Sequence, residues 1–324
     1  MRSLLVVVSA VAATGCIGKY IRPTSEEKFE ATPERLERGR YVVESLAGCG
    51  ACHTPRPDGN LTAAEDGERA LGGGNLLQDG PITVYIPNLT NDAETGLGGW
   101  TDDQVARAIR DGITKDEKVL FPVMPYTSYQ LMSDEDVKAV VAYLRSLPPQ
   151  KPVLPRRENE LPFFLKRVVN AGATLHAPAV NVAAPAAGDA VARGKYVAHL
   201  GHCTECHNFG GKGARDESDR YMAGSDGAFE VKGVGKVWAP NLTSDPETGI
   251  ARYSDDQLKA VLRTGKRLDG KLLAPPMSLM VPHFATMTEQ DASDLVAWLR
   301  TLPPVKQQAP PRELDPAFAK LLGE

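Results

Sequence analysis

The chain contains 324 residues, of which 37 are basic and 41 are acidic, so its formal net charge is −4 at pH 7. This charge argues against nucleic acid as a partner, because proteins that bind phosphate backbones need an excess of Lys and Arg. Aromatic residues make up only 6% of the chain, while Gly and Pro number 30 and 25. Small domains of this composition would need added apolar volume to build an adequate core.

The first residues of the chain predict export from the cytoplasm. Arg2 supplies a positive charge ahead of the apolar run Leu4–Ala13, which is too short to span a bilayer. The segment Ala13–Cys16 resembles a bacterial lipobox, in which the cysteine becomes the acylated mature N-terminus. The departure from that pattern is its first residue, where Leu is usual and Ala stands here.

Ordinary signal cleavage near Ala12, with an incidental thiol at Cys16, is the alternative to lipidation. The odd number of cysteines in the chain, 5, favours the lipobox, because Cys16 would otherwise be unpaired in an exported protein. The sequence therefore predicts a signal peptide over residues 1–15 and a lipidated Cys16 with a polar tether over residues 16–31. Such an anchor would hold the protein at a membrane on the periplasmic side of the cell envelope.

Two C-x-x-C-H motifs, Cys49–His53 and Cys203–His207, carry the main chemical signal of the chain. In a helical turn the two cysteines of such a motif point the same way, and the His follows beneath them. This spacing is typical of covalent haem attachment, in which the thiols form thioethers and the His binds the iron. The sequence therefore predicts two covalent haems with the iron ligands His53 and His207. The predicted thioether residues are Cys49, Cys52, Cys203 and Cys206.

Three other functions of paired cysteines fit the sequence less well. A thioredoxin-like redox motif should follow a β-strand, whereas a helical pattern over Glu34–Leu46 precedes the first motif. A zinc site built from four cysteines would leave both motif histidines without a role. A disulfide within C-x-x-C is strained and uncommon.

The chain is an internal duplication, because segments of the first half recur in the second half at an offset of 153 to 155 residues. Clear examples are Pro87–Thr90 with Pro240–Thr243, and Tyr143–Pro149 with Trp298–Pro304. The duplication divides the chain into a first domain (32–149), a linker (150–188), a second domain (189–306) and a C-terminal tail (307–324).

Each repeat has the pattern of three helices joined by long loops. The second helix begins with a capping box, Thr101–Gln104 in the first repeat and Ser254–Gln257 in the second. The third helix begins at Ser133 or Thr288 and carries apolar residues at helical spacing, which we expect to pack against the first helix. No strand alternation is evident, so the sequence predicts an all-α fold.

A second iron ligand is expected on a loop that faces each motif histidine. Met124 follows His53 by 71 residues, and Met277 follows His207 by 70. Both methionines lie at aligned positions on loops stiffened by prolines, so we predict that they are the sixth ligands of the two irons. An insertion of two residues after Met277 leaves Met280 as the alternative ligand of the second haem.

Taken together, these motifs resemble the tandem class I cytochromes c, and in particular the multi-haem cytochrome subunits of membrane-bound alcohol, gluconate and related sugar dehydrogenases. The likeness covers nearly all of the chain after residue 31. Besides the haem motifs, it is carried by repeated segments and a linker segment, namely Asn88–Thr90, Glu94–Gly96, Met124–Pro125, Ser133–Pro149 and Asn159–Phe163. Those subunits commonly contain three haem domains, whereas this sequence shows two.

The resemblance implies that each domain is an all-α fold with long loops wrapped around a covalent haem that has His and Met axial ligands. It also implies an electron-transfer protein, which would take electrons from a membrane dehydrogenase or a quinol and pass them to a downstream cytochrome or oxidase. We further expect polar side chains of the repeated loops to contact the haem propionates. These side chains are Asn88, Thr90, Asn241 and Thr243.

An enzyme is the alternative hypothesis. A peroxidase-like or thiosulfate-oxidising di-haem oxidoreductase would need one iron with an open or replaceable sixth site and polar groups above it. The second haem, with its altered Met loop and the nearby His283, is where such a site is expected. His283 is discounted as an axial ligand, because Ser128 occupies the equivalent position in the first repeat.

Overall fold

The computed structural model describes residues 22–59, 63–79, 82–152, 159, 180–208 and 219–323. Within these ranges the chain forms two mostly helical domains of similar design. The predicted signal peptide, Cys16 and most of the predicted linker lie outside the described residues. None of the described helices is long and apolar enough to cross a membrane.

The first domain begins with a helix that leads directly into the first haem motif. Helix α1 (Pro33–Tyr41) is capped by the side chain of Thr32 and continues as a π-helical turn, Val42–Leu46. The short helix α2 (Gly50–His53) then carries the motif. The remaining helices of this domain are α3 (Asp102–Asp111), α4 (Tyr126–Tyr129) and α5 (Asp134–Ser146).

The second domain repeats this order of helices. Its helices are α6 (Ala190–Leu200), α7 (Cys203–His207), α8 (Asp255–Thr264), α9 (Met277–Phe284) and α10 (Glu289–Thr301). Both predicted capping boxes are confirmed, because Thr101 and Ser254 each accept a hydrogen bond from the backbone of a Gln that bonds back to the cap. The predicted helix starts at Ser133 and Thr288 are confirmed in the same way, by side chains that accept from the backbone three residues on.

The prediction of a fold without strands was wrong in detail. A hairpin joins β1 (Leu76–Asp79) to β2 (Ile82–Tyr85) in the first domain, and β3 (Phe229–Val231), β4 (Gly235–Val237) and β5 (Glu313–Leu314) form a small antiparallel sheet. Strands of two to four residues are too short for a period of two to stand out in the sequence. Strand β5 and the helix α11 (Pro316–Leu322) fold the predicted C-terminal tail onto the second domain.

The last helix of each domain packs across the first, as the apolar stripes predict. A glycine lies at each crossing. A Cβ on Gly39 of α1 would overlap the backbone carbonyl of Ala139 in α5, and a Cβ on Gly194 of α6 would overlap the carbonyl of Asp294 in α10. The absence of a side chain at these positions therefore allows the two helix backbones to approach closely.

The two domains contact each other through reciprocal hydrogen bonds. The Tyr41 hydroxyl of α1 donates to Asp291 in the first turn of α10 at 2.6 Å, and the Tyr196 hydroxyl of α6 donates to Asp136 in the first turn of α5 at 2.7 Å. Asp136 also accepts two hydrogen bonds of 2.7 Å from Arg38 of α1. Each domain thus binds the start of the last helix of its neighbour through an equivalent tyrosine.

The helix crossing of the second domain can be tested with Gly194→Ala. Overpacking at a close helix contact costs about 1–3 kcal/mol, so we expect the free energy of unfolding of this domain to fall by that amount in denaturant titrations. Gly188→Ala is the matched control, because no atom lies within 4 Å of a Cβ at that position. Equal stability of the two variants would contradict the role assigned to Gly194.

Candidate haem-binding sites

The two C-x-x-C-H motifs form short helices in which the cysteines lie side by side on one turn. Cys49 lies at the N-terminus of α2 and its carbonyl accepts from the His53 backbone N–H at 2.9 Å, which closes one helical turn around the motif. Neither pair of motif cysteines is joined as a disulfide. In the described part of the chain no group of three or more His, Cys, Asp or Glu side chains could hold a metal ion, so the pairs do not combine into a zinc cluster.

Each motif histidine is held by a single backbone carbonyl. The His53 Nδ1 lies 2.8 Å from the Pro87 carbonyl oxygen, and the His207 Nδ1 lies 2.8 Å from the carbonyl oxygen of Pro240. A carbonyl can only accept, so the proton is on Nδ1 and the lone pair of Nε2 is free to bind a metal. A hydrogen bond of this kind fixes both the tautomer and the ring orientation of a metal-binding histidine.

Burial keeps both imidazoles in the neutral form that a metal requires. The two side chains are each 7% exposed. Burial lowers the pKa of His53 to about 4, although the hydrogen bond to Pro87 opposes this shift. Burial also lowers the pKa of His207, against the same kind of bond to Pro240. Both rings are therefore deprotonated at Nε2 at neutral pH before any metal binds.

Sequence reasoning missed the role of Pro87 and Pro240. The signal was present, because Pro-Asn-Leu-Thr recurs at the same place in both repeats, but it directed attention to the Asn and Thr side chains. The acceptor is a backbone carbonyl, which every residue has, so residue types alone do not identify it.

The Asn and Thr side chains of these loops are engaged with the protein itself. The Asn88 Oδ1 accepts from the backbone N–H and the hydroxyl of Thr90 at 2.8 Å each, and its Nδ2 donates to the Gln150 carbonyl at 2.7 Å. Asn241, Thr243 and the carbonyl of Val305 repeat this arrangement. These bonds tie the proline loop to the end of its domain. Contact of Asn88, Thr90, Asn241 and Thr243 with haem propionates stays a prediction.

A glycine joins the end of each motif helix to its proline loop. The Gly73 N–H donates to the His53 carbonyl at 2.7 Å, and the Gly224 N–H donates to the His207 carbonyl at 2.8 Å. Gly73 has a φ of +71°, and a Cβ there would overlap the backbone of Pro87 and Asn88. Gly73 therefore allows a close contact between two backbone segments, each of which forms a hydrogen bond with His53.

The structure places the predicted methionine ligands on equivalent loops. Met124 lies just before α4, and Met277 is the first residue of α9. Both are partly buried and pack against the apolar core. Helix α9 has eight residues and α4 has four. The two residues inserted in the second repeat therefore lie within a longer helix.

The Met280 side chain reaches the first domain. It is 8% exposed, and a Cβ on Gly48, next to the first haem motif, would overlap its Cε atom. A methionine that fills the space beside Gly48 is a packing residue in the domain interface. This placement favours Met277 over Met280 as the ligand of the second iron.

The residues of each site fit a covalently bound haem. Two adjacent thiols can form thioethers, a buried neutral imidazole presents Nε2, and a thioether side chain lies on a proline-bounded loop of the same domain. Each domain contributes two of the four cysteines and one of the two histidines, and their individual roles in binding haem stay predictions.

Comparisons with known proteins bear on both sites. The cytochrome c family model matches residues 36–148 and 191–303, which is more than half of the chain. The fructose dehydrogenase cytochrome subunit of Gluconobacter japonicus is 31% identical over 307 residues, covering 91% of this chain and 59% of that protein. The cytochrome c subunit of alcohol dehydrogenase (quinone) from Gluconacetobacter polyoxogenes is 30% identical over 328 residues, covering 99% of this chain and 66% of that protein.

A third relative is close to this chain in length. The diheme cytochrome c-type protein of Cereibacter sphaeroides is 29% identical over 312 residues, covering 94% of this chain and 99% of that protein. The chain therefore spans less than two-thirds of the two dehydrogenase subunits and nearly all of the diheme protein.

The predicted methionine ligands can be tested by substitution. Met124→Ala should leave the first haem attached, because the thioethers and His53 are unchanged, but it should lower the reduction potential of that haem and open its iron to cyanide. Loss of the far-red band of ferric iron bound to methionine is the spectroscopic measure. Met277→Ala should have the same effect on the second haem.

Met280→Ala is the matched control for Met277→Ala and should keep the band, because the Met280 side chain packs at Gly48. If Met280→Ala removes the band and Met277→Ala does not, the assignment of the second ligand is wrong.

Proposed function

The chain belongs to the cytochrome c family and carries two covalent haem c groups, and from this premise we propose that it is an electron carrier of the bacterial cell envelope. The observation that carries the proposal is the completeness of both sites. Each has paired thiols and a buried imidazole whose Nε2 is free because Nδ1 donates to a proline carbonyl. Neither domain has lost a residue that haem attachment needs.

In this function, the bound haem, the two motif histidines and the two methionines have separate roles. Bound haem supplies a one-electron couple between ferric and ferrous iron. The Nδ1 bonds hold His53 and His207 in one orientation, so that little rearrangement accompanies a change of charge. Met124 and Met277 would supply soft thioether donors to the iron, which would stabilise the reduced state and keep substrates from binding there.

The long loops of each domain would enclose the haem. In the first domain, the loop between α2 and α3 carries Pro87, and the loop between α3 and α4 carries Met124. A domain with so few aromatic residues gains the apolar volume of a core from such a group. Wrapping by these loops thus accounts for both the composition and the positions of the ligands.

The relatives indicate the class of redox partner. Two of them are cytochrome subunits of a fructose dehydrogenase and of a quinone-dependent alcohol dehydrogenase. The proposed donor is therefore a membrane dehydrogenase or a quinol, and the proposed acceptor is a downstream cytochrome or oxidase. An enzyme acting at the second haem is not favoured, because His283 donates from Nδ1 to the Glu44 carbonyl of the first domain at 2.8 Å and contacts Gly50 there.

The electron-carrier function can be tested on the purified holoprotein. We expect two reversible one-electron steps in a potentiometric titration, full oxidation of the reduced protein by a membrane fraction with oxidase activity, and no binding of cyanide to the ferric protein. Catalytic turnover of peroxide or thiosulfate, or cyanide binding by one haem, would instead establish the enzyme hypothesis.

We also propose a lipid anchor at Cys16 on the periplasmic side of the envelope, supported by the apolar run Leu4–Ala13 and the lipobox-like Ala13–Cys16. Each buried methylene of an acyl chain contributes about 0.8 kcal/mol to membrane binding, so two or more chains give stable attachment. Cys16→Ser should release the protein from the membrane fraction or stop its maturation, as followed by fractionation and intact mass. A soluble wild-type protein with an unmodified thiol at this position would refute the anchor.

A further inference from the structure

The two haem motifs differ in the residues between their cysteines. The first motif has Gly50 and Ala51, and the second has Thr204 and Glu205. Gly50 lies against the His283 ring of the second domain, and Ala51 is buried at 2% exposure. The second motif thus has a carboxylate at the position where the first has a buried methyl group.

The Glu205 carboxylate is held by hydroxyl groups of the first domain. Its Oε1 accepts from the Thr127 hydroxyl at 2.6 Å and from the Ser128 hydroxyl at 2.7 Å, and both donors belong to α4. In the part of the chain that the structure describes, no Lys, Arg or His forms an ion pair with Glu205. Among the described residues, this carboxylate is therefore held in place by neutral hydroxyl donors alone.

The charges beside the first motif are compensated. Arg56, whose side chain is 6% exposed, forms an ion pair with Glu65 at 2.7 Å. His283 lies across the interface with its Nε2 3.7 Å from Glu65. The Arg56–Glu65 pair has no net charge, whereas the described residues give Glu205 no cationic partner.

We infer that Glu205 holds the reduction potential of the haem bound to Cys203 and Cys206 below that of the haem bound to Cys49 and Cys52. The second domain then receives electrons from the donor, and the first domain passes them to the acceptor. This inference rests on the proposed function as an electron carrier.

The physical basis is the charge of the iron in its two states. With neutral His and Met ligands, a ferric haem carries one more positive charge than a ferrous haem, so a fixed negative charge nearby favours the ferric state and lowers the potential. Glu205 lies one residue before Cys206, which bonds to the haem covalently. The interface excludes part of the solvent, so the charge acts through a lower dielectric than on an open surface.

The decisive experiment is a potentiometric titration of the holoprotein with and without Glu205→Gln. Gln keeps the size and the acceptor oxygen of the side chain and removes its charge. We expect at least a tenfold shift toward the ferrous state of the second haem, which is about 59 mV for a one-electron couple. Glu205→Gln is also combined with Met124→Ala. Only the second haem then keeps the far-red methionine band, so the shifted reduction step can be assigned to it.

Glu230→Gln is the matched control. It removes a carboxylate of the same domain from an exposed position on β3, where Glu230 lies 3.7 Å from Lys236. It should shift the second haem by much less than Glu205→Gln. Equal shifts from the two variants would mean that Glu205 acts only through the net charge of the domain and would overturn the inference.

Ser128→Ala provides a second test from the other domain, which holds even if Glu205→Gln fails to mature. It removes one donor from the carboxylate and so exposes more of the negative charge, which should shift the second haem toward the ferric state. A second haem that titrates above the first in the wild type, or that moves in the wrong direction in either variant, overturns the inference while leaving the carrier function intact. Haems that do not titrate reversibly would refute the carrier function itself.

Discussion

The hydrogen bond from each motif histidine to a proline carbonyl is the contact on which both haem sites depend. The backbone of Pro87 or Pro240 accepts the Nδ1 proton, and the remaining loop structure serves to keep that carbonyl in place. Asn88 and Asn241 tie the loop to the end of the domain, and Gly73 brings the loop close to the motif helix. A histidine without this acceptor could rotate or change its tautomer, and burial alone would then not guarantee a lone pair directed at the iron.

The second constraint is that each domain completes the surroundings of the other haem motif. Helix α4 of the first domain supplies hydroxyls to Glu205, and helix α9 of the second domain places His283 and Met280 against the first motif. Helices α4 and α9 are also the elements next to the predicted methionine ligands. A substitution near one of these methionines can therefore affect the attachment site of the other haem through the contacts of α4 or α9.

Many elements of this architecture could be predicted from residues with a strong preference for one local structure. The caps at Thr101, Ser254, Ser133 and Thr288 and the motif helices follow from short-range chemistry, and the repeat made each prediction twice. The short strands were missed because pairing between them is decided by loop geometry. The acceptor carbonyl of Pro87 and the partners of Glu205 were missed because they depend on contacts between distant segments, which residue types alone do not encode.

The duplication is most informative where its two copies differ. Gly48 precedes the first motif with a φ of +54°, and His202 precedes the second with a φ of +43°, so one left-handed position is occupied once by glycine and once by a side chain. The bare position leaves the space that Met280 fills, and this placement favours Met277 as the predicted ligand of the second iron. Burial lowers the pKa of His202 to about 4, so its ring enters the interface as a neutral group. The two repeats thus share their predicted iron ligands and differ at the interface between the domains, which is where two otherwise equivalent haems can acquire different potentials.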